Sequence, residues 1–300
     1  MGPFPLKPRH GAEDNIAAVA AAVKARSPAA RVLQYLNAQF AYPWYRLYGV
    51  AAQHGWWVRN VTTGREVTHS VIDMNCSTPG RCPAATVGYW DFTQPGLRDA
   101  WVASCTNPKI DGCFVDGACT SSDFPPFAKG DNTSAYDAGR AATLDAIAAA
   151  GFLVMVNDKQ YYDPVPPYPA AQGEFLETFS GGAVKWLDIL NRTSQAGHLV
   201  EAHTSTLCHN ESAPAGVADL AAFLLAAQEG TYFGCSSWED VPTWPAAYDK
   251  PLGAPLGQAV LNQASGTWHR SFALGTNVSL NYGAKSASIA WGDGSVMTTG

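Results

Sequence analysis

The sequence predicts an α/β fold of alternating strands and helices, and three observations support this prediction. Short runs rich in β-branched and aromatic residues alternate with alanine-rich helical stretches along the chain, a pattern typical of parallel β–α units. The 300 residues suit one closed barrel of about 250 residues. Hydrophobic residues make up 47% of the chain and charged residues 15%, which indicates a large core. We therefore predict a single domain over residues 1–300, folded as a (β/α)8 TIM barrel.

The predicted elements follow one another in order along the chain. Helices are predicted at residues 13–26, 95–104, 135–150, 170–190 and 215–228. Barrel strands are predicted at residues 32–37, 87–92, 112–116, 152–157, 198–202 and 231–235. A first strand should precede the helix at residue 13, and only residues 4–6 can supply it, so we expect the first strand to be truncated.

Two further β segments are predicted outside the barrel pattern. Residues 56–68 alternate around Thr63-Gly64 and predict a β-hairpin excursion. Residues 271–280 and 287–291 predict a C-terminal β segment, either a hairpin or a final strand.

Composition indicates a secreted, N-glycosylated protein. Six Asn-x-Ser/Thr triplets occur where the 12 Asn and 39 Ser or Thr residues would give about two by chance, and such triplets mark glycosylation sites on surface loops. They begin at Asn60, Asn75, Asn132, Asn191, Asn210 and Asn277. A secretory signal is absent from residues 1–11, and we expect a missing N-terminus rather than a removed signal.

Seven cysteines fit the oxidising compartment, and their odd number leaves at least one without an intrachain bridge. Bridges are predicted for Cys208 with Cys235 and for Cys76 with Cys82. Cys113, which should face the helices from within a strand, is expected to stay a buried thiol.

Charge and motif spacing exclude several function classes. A net charge of −6 argues against nucleic-acid and anionic-membrane partners, and no apolar run approaches the roughly 18 residues of a membrane span. The cluster of Cys208, His209, His203 and Glu201 matches no zinc spacing, and no nucleophile elbow or phosphate loop occurs. We expect no metal, no cofactor, a carbohydrate partner and a monomer.

Four predicted strands end in an acidic residue, and the ends of barrel strands meet in one cup. These residues are Asp91, Asp116, Asp158 and Glu201. Capping of the following helix is the alternative for any single Asp. Since side chains alternate along a strand, an inward Asp116 requires an inward Phe114, and an inward Glu201 requires an inward His203.

Glycoside cleavage needs two carboxyl groups, one to protonate the leaving oxygen and one to stabilise or capture the oxocarbenium-like centre. We predict Asp116 as the nucleophile and Glu201 as the acid. The expected substrate-binding residues are polar groups and aromatic rings near strand ends: Asp91, Asn157, Asp158, His203, Tyr35, Asn37, Trp44, Trp90 and Trp238. Asp158 follows Asn157 directly, so only one of the two can take the inward register.

Several motifs resemble those of a known family in the same order along the chain. They are Tyr-Leu-Asn at 35–37, Trp-Asp-Phe at 90–92, Asp-Gly-Cys-Phe-Val-Asp-Gly at 111–117, Glu-Gly-Thr-Tyr-Phe-Gly at 229–234, Lys-Pro-Leu-Gly-Ala-Pro at 250–255, Trp-His-Arg-Ser-Phe at 268–272 and Gly-Thr-Asn-Val at 275–278. Over residues 32–291 the chain resembles secreted glycoside-hydrolase-like barrel proteins, similar to glycosyl-hydrolase-like family 15. The resemblance implies a TIM barrel with Asp116 ending strand 4 and Glu201 ending strand 6.

Acids on strands 4 and 6 are also similar to the arrangement of the α-galactosidase-like clan of retaining enzymes, although that clan has Asp at the second position, where this chain has Glu201. From this placement we predict the retaining mechanism, with the carboxyls about 5–5.5 Å apart. Two alternatives remain open at this stage. One is a barrel that binds glycans without cleaving them, and the other is a polysaccharide lyase with His203 or Tyr89 as the base.

Overall fold

A computed structural model of the chain describes residues 11–72, 84–118, 133–157, 171–177, 179–180, 184–195, 197–204, 210, 213–235 and 244–299. The chain divides into two compact units, Gly2–Gln172 and Gly173–Gly300. We call them the N-terminal unit and the C-terminal unit. Each unit contains its own cluster of buried apolar side chains.

The N-terminal unit combines parallel strands with helices. Its helices are α1 (Ala12–Arg26), α2 (Arg46–His54), α3 (Pro95–Cys105) and α4 (Ser134–Ala149), and its strands are β1 (Leu33–Asn37), β2 (Phe40–Ala41), β3 (Thr68–Ile72), β4 (Ala84–Tyr89), β5 (Gly112–Asp116) and β6 (Leu153–Asn157). Strands β1, β5 and β6 pair in parallel in that order. The strands predicted at 32–37, 112–116 and 152–157 are therefore confirmed, as are the first three predicted helices.

The strand predicted at residues 87–92 is wrong as a barrel strand. Strand β4 covers Ala84–Tyr89 and pairs antiparallel with both β2 and β3. The reason is that β1 lies directly against β5, with Asn37 opposite Asp116, so no strand lies between them. The chain instead turns back after β1 into β2, and β4 pairs with that short strand.

The hairpin predicted at residues 56–68 is confirmed. Arg59 and Glu66 form an antiparallel bridge, and the Asn60 amide donates to the Arg65 carbonyl at 2.8 Å. Gly64 sits in the turn with a φ of 68°, a conformation that glycine adopts without steric cost.

Cys113 is bridged, which corrects the prediction that it stays a buried thiol. As expected from strand alternation, its side chain faces the helix layer, but Cys105 ends α3 directly across from it. The two residues form a disulfide with a Cα–Cα distance of 5.4 Å. Cys235 is also disulfide-bonded. Cys76, Cys82 and Cys208 lie outside the described residues, so the other two predicted bridges stay predictions.

The C-terminal unit places two helices beside parallel strands and adds an antiparallel sheet. Its helices are α5 (Val184–Gln195) and α6 (Pro214–Ala226), with a 3-10 helix at Ala246–Asp249. Strands β7 (Gly173–Leu176), β8 (Leu199–Thr204) and β9 (Thr231–Cys235) pair in parallel. The antiparallel sheet has the strands β10 (Val260–Asn262), β11 (Thr267–Ser271), β12 (Asn277–Asn281), β13 (Ser286–Ala290) and β14 (Val296–Thr298) in sequence order. The strands predicted at 198–202 and 231–235 and the helix at 215–228 are confirmed.

Two predictions for the C-terminal unit are confirmed only in part. The helix predicted at 170–190 is wrong in its first part, which contains strand β7 with four buried residues. Its second part is confirmed by helix α5, which begins at Val184. Short apolar runs of this kind fit a strand or a buried helix equally well. The C-terminal β segment is confirmed as a hairpin in its later part, because the consecutive strands β12 and β13 pair antiparallel. Its earlier part differs, since the predicted run 271–280 is broken by a turn at Gly275, with a φ of 91°, between β11 and β12.

Helix α6 organises the core of the C-terminal unit. Ten of its residues are buried, as expected for a helix that is apolar on all sides, and it packs against β8, α5 and the strands β11–β14. Arg270 of β11 donates from its guanidinium group to the carbonyls of Leu224, Leu225 and Ala227 at 2.7–3.0 Å. It thereby satisfies carbonyls at the end of α6 that lack partners within the helix.

The chain is thus a mixed α/β protein with parallel strands and interleaved helices. Closure of these strands into a (β/α)8 barrel stays a prediction, and residues 4–6, expected to supply a first strand, lie outside the described part. None of the helices in the described ranges has the length and apolarity needed to cross a bilayer.

Candidate functional site

Three neighbouring strands of the N-terminal unit end in polar residues of one row. Asn37 ends β1, Asp116 ends β5 and Asn157 ends β6. Asn37 and Asp116 are register partners, and the pairing of β5 with β6 continues the row to Asn157. Because residues in register on parallel strands point to the same face, the three side chains lie together at the carboxyl ends of the strands.

Asp116 is the centre of this row and accepts four hydrogen bonds. Oδ2 accepts from the Tyr35 hydroxyl at 2.6 Å and from Asn37 Nδ2 at 3.0 Å. Oδ1 accepts from Asn157 Nδ2 at 3.0 Å and from the Gly117 amide at 2.9 Å. In all four bonds Asp116 is the acceptor, which is the role of an ionised carboxylate. Tyr35, Asn37 and Asn157, all predicted near the substrate, are therefore brought together on Asp116.

Asn37 is held rigidly by the backbone around it. Its Oδ1 accepts from the amides of Gln39 and Phe40 at 2.9 and 2.8 Å, so its Nδ2 must face Asp116. Its own backbone amide donates to the Tyr45 hydroxyl at 3.1 Å, and its carbonyl accepts from Trp90 Nε1 at 2.9 Å. The orientation of this donor is set by local structure and does not depend on a ligand.

Gly117 is required at its position. Its φ of 64° lies in the left-handed region, and a Cβ there would meet Gln39 Cγ at 2.9 Å and Asn37 Oδ1 at 3.1 Å. Only glycine therefore lets the chain turn after β5 while its amide points at the Asp116 carboxylate.

Two tyrosines respond electrostatically to Asp116. Burial of its hydroxyl and the negative charge of Asp116 together raise the pKa of Tyr35 far above its ordinary value, so Tyr35 stays a proton donor. Burial and the same charge raise the pKa of Tyr42 to about 12. Tyr42 stacks on Trp44 with ring centroids 4.4 Å apart. The predicted Trp44 thus belongs to an aromatic pair close to the carboxylate.

Trp90 and Asp91 have supporting contacts. Trp90 has no exposed surface, so it does not offer the stacking face expected of a substrate-binding residue, and it holds Asn37 instead. Asp91 accepts from the Thr93 amide and hydroxyl and from Gln94 Nε2. These bonds order the turn before α3, whereas Asp91 does not cap the helix, whose N-cap residue is Gln94.

Glu201 lies on β8 of the C-terminal unit, where His203 is its polar neighbour. Glu201 Oε1 and His203 Nδ1 are 3.8 Å apart, and the Glu201 side chain is 37% exposed. Gly234 of β9 stands opposite His203, and a Cβ there would meet Glu201 Oε1 at 2.7 Å. Burial and the negative charge of Glu201 raise the pKa of Tyr248 to about 12.

Some predicted site residues lie outside the described part, and some residues of the site were not predicted. Asp158 and Trp238 lie outside the described residues. Within the described ranges, no group of three or more His, Cys, Asp or Glu residues could hold a metal ion. Gly117 was not predicted as a site residue, although the Asp-Gly pair at a strand end could have indicated it. Gly234 and Tyr248 could not be predicted, because their place beside Glu201 depends on pairing and packing that no local motif encodes.

A carboxylate held at the carboxyl ends of parallel strands, with tyrosines and a tryptophan beside it, is the kind of polar, aromatic-lined site at which α/β proteins bind ligands. The family model described as hypothetical glycosyl hydrolase family 15 matches residues 24–276, and the chain belongs to this family. This confirms the resemblance seen in the motifs. A search of curated proteins finds no match.

Two solved structures are similar to this chain. The crystal structure of Aspergillus fumigatus Ega3 in complex with galactosamine is 11% identical, with a TM-score of 0.46, over 76% of this chain and 80% of that one. The ligand-free cyclic α-maltosyl-(1→6)-maltose hydrolase from Arthrobacter globiformis is 12% identical, with a TM-score of 0.43, over 93% of this chain and 71% of that one. Both TM-scores lie below 0.5, so neither likeness extends an activity to this chain.

Proposed function

We propose that this chain is a secreted glycoside hydrolase that cleaves a poly- or oligosaccharide by a two-carboxylate, retaining mechanism. In that mechanism a carboxylate bonds to the anomeric carbon while an acid protonates the leaving oxygen. Water then attacks the anomeric carbon, the carboxylate leaves, and the former acid takes the proton of the water. Membership of a glycosyl hydrolase family supports the carbohydrate substrate.

The observation that carries the proposal is the setting of Asp116. Its four donors fix both carboxylate oxygens, and pre-organised groups of this kind are what a nucleophile needs. None of the four donors is a Lys or Arg, so the negative charge is held in place without being neutralised by an ion pair. The Tyr42–Trp44 pair supplies aromatic surface of the kind that packs on sugar rings.

Glu201 is the proposed acid. Its support is the resemblance to the family's strand order. The predicted placement at a strand end is corrected, because β8 continues to Thr204 and Glu201 is its third residue. The histidine 3.8 Å from its carboxyl group is a proposed substrate-binding residue, together with Tyr35, Asn37, Trp44, Asn157, Asp91, Asp158 and Trp238.

The test is reducing-end release from a library of plant, algal and microbial glycans. Asp116→Asn and Glu201→Gln should each lower turnover by orders of magnitude, and Asp145→Asn, an exposed carboxyl on α4, should not. Because an asparagine NH2 at position 116 would face donors, Asp116→Asn should also lower the unfolding temperature, which is measured separately. Full turnover in Asp116→Asn would refute the assignment.

A glycan-binding protein without hydrolytic activity is the second candidate, and the complete set of donors on Asp116 favours it. In that case Asp116→Asn would weaken glycan binding, and the wild type would release no reducing ends from any glycan it binds. For the polysaccharide lyase alternative, Tyr89 is unsuitable as the base, because it is only 1% exposed. His203 is then the remaining candidate base.

The barrel and the secreted state are parts of the same proposal. Strand–helix alternation in both units supports closure into a (β/α)8 barrel. The exposed Asn60, Asn210 and Asn277 and the Cys105–Cys113 disulfide support the secretory pathway. A loss of mass on endoglycosidase treatment, after expression in a eukaryotic secretory host, tests the glycosylation.

A further inference from the structure

The carboxylate of Asp116 has no acceptor site to spare. An ionised carboxylate offers about four lone-pair sites, and Asp116 uses them for Tyr35, Asn37, Asn157 and the Gly117 amide. A ligand hydroxyl that binds to this carboxylate must therefore take the place of one of these donors.

Three of the four donors are held in place. Asn37 and Asn157 are 5% and 2% exposed, and the amide of Asn37 is locked by the backbone amides of Gln39 and Phe40. The Gly117 donor belongs to the backbone. Removing either asparagine from Asp116 would leave a buried N–H group without its acceptor, which is costly.

Tyr35 is the donor that can move. The residue is 41% exposed and lies on β1, an outer strand among the described parallel strands of its unit. Its ring stacks on Phe114 at 6.0 Å, and its hydroxyl bonds to Asp116 Oδ2. Turning the ring toward solvent exposes the hydroxyl to water, so its lost hydrogen bond is replaced.

We infer that Tyr35 is a movable positioning residue whose hydroxyl is exchanged for a sugar hydroxyl at Oδ2 of Asp116. The inference rests on the proposed function, since it takes Asp116 as the carboxylate that meets the sugar. The hydroxyl concerned is the 2-hydroxyl, next to the anomeric centre, because hydrogen bonds to this group strengthen in the transition state of glycoside cleavage. In the bound complex the sugar hydroxyl takes the place of Tyr35 on Oδ2, the oxygen that faces the substrate. Bond formation to the anomeric carbon then displaces one donor from that oxygen.

Two iminosugars that differ only at the 2-hydroxyl test the exchange by titration calorimetry. 1-Deoxynojirimycin carries this hydroxyl and fagomine lacks it. In Tyr35→Phe the hydroxyl no longer competes for Oδ2, so the affinity for 1-deoxynojirimycin should rise about two- to tenfold, the value of one hydrogen bond. The affinity for fagomine should stay unchanged. If Tyr35 has only a structural role, Tyr35→Phe should lower the affinity for both iminosugars.

The control is Tyr48→Phe on α2, whose hydroxyl makes no hydrogen bond within the described residues, and it should change neither affinity. If Asp116→Asn leaves both affinities unchanged, the proposed site itself is wrong. If Asp116→Asn abolishes binding while Tyr35→Phe weakens 1-deoxynojirimycin, the site stands and the exchange is refuted.

A second measurement needs no ligand and tests the premise of the exchange, that Tyr35 is held less firmly than the other donors. Tyr35→Phe should lower the unfolding temperature by less than half of the decrease in Asn157→Leu, because Tyr35 is 41% exposed and its hydroxyl can turn to water, whereas Asn157 is 2% exposed. Failure of Asn157→Leu to fold counts as the larger loss. An equal loss in the two variants would refute the exchange.

Discussion

Gly234→Ala tests the role of Glu201 without substituting Glu201 itself. Gly234 of β9 does not have a left-handed φ, so the backbone accepts an alanine. The new methyl carbon, however, would lie 2.7 Å from Glu201 Oε1 and 3.2 Å from His203 Nδ1. The alanine should therefore fold normally and displace the carboxyl group.

The size of the displacement follows from these distances. Ordinary contact begins at 3.4 Å, so the Glu201 oxygen must retreat by about 0.7 Å. The Glu201 side chain is 37% exposed and can move toward solvent, so the free energy of unfolding should change by less than about 1 kcal/mol. Misplacement of a catalytic group by about 1 Å costs about 100-fold in rate, and we expect turnover to fall about 10- to 100-fold.

The assay compares kcat on the best glycan substrate with the unfolding free energy of the same variant. Gly49→Ala on α2 is the matched control, because a Cβ there meets nothing within 4 Å. It should keep full turnover and gain about 0.5–1 kcal/mol from helix propensity. Wild-type turnover in Gly234→Ala would mean that the Glu201 carboxyl does not act in the reaction, and a large loss of stability would mean that the local geometry is misjudged.

Three further predictions concern stability. The Cys105→Ser/Cys113→Ser double variant should lose about 2.5 kcal/mol of unfolding free energy by the chain-entropy relation for a bridge between residues 8 apart, and denaturant titration showing no loss would contradict this. Arg270→Met should lose about 3 kcal/mol, because buried carbonyls at the end of α6 lose their donor, and an unchanged thermal midpoint would oppose that. The pKa values of Tyr42 and Tyr248 are raised to about 12, against about 10 in the unfolded chain. The contribution of these two tyrosines to the unfolding free energy should therefore be fully present below pH 10 and lost as pH rises from about 10 to 12. Unfolding curves across that range that do not change would exclude this linkage.

The fold could be predicted where the local pattern determines the element. The run Gly-Cys-Phe-Val-Asp at 112–116 is short, apolar and bounded by turn residues, and it forms β5 as expected. Residues 87–92 also have a strand pattern, but their partner is decided by the turn from β1 into β2. Pairing depends on distant residues, and a strand pattern by itself carries no information about its partner.

The central residue of the site, Asp116, could be predicted from the sequence, but the contacts of its neighbours could not. Asp116 was found because strand ends of parallel units meet at one edge. The substrate-binding role of Tyr35 and Asn37 stays a prediction. Their hydrogen bonds to Asp116 could not be predicted, because the register that sets Asn37 opposite Asp116 cannot be derived from the composition of either strand. Trp90 was misassigned for a similar reason, since burial of an indole depends on tertiary packing.

The choice of donors around Asp116 has a chemical consequence. An Arg or Lys partner would hold the carboxylate equally well, but its positive charge would offset the negative charge that an oxocarbenium-like centre needs beside it. Two amides, a backbone N–H and a phenol orient the carboxylate through dipoles and bring no net charge. The two amides and the backbone N–H, which are held in place, require no reorganisation during reaction. The row of Asn37, Asp116 and Asn157 is therefore better suited to a carboxylate that faces a positively charged centre than to a carboxylate with a purely structural role.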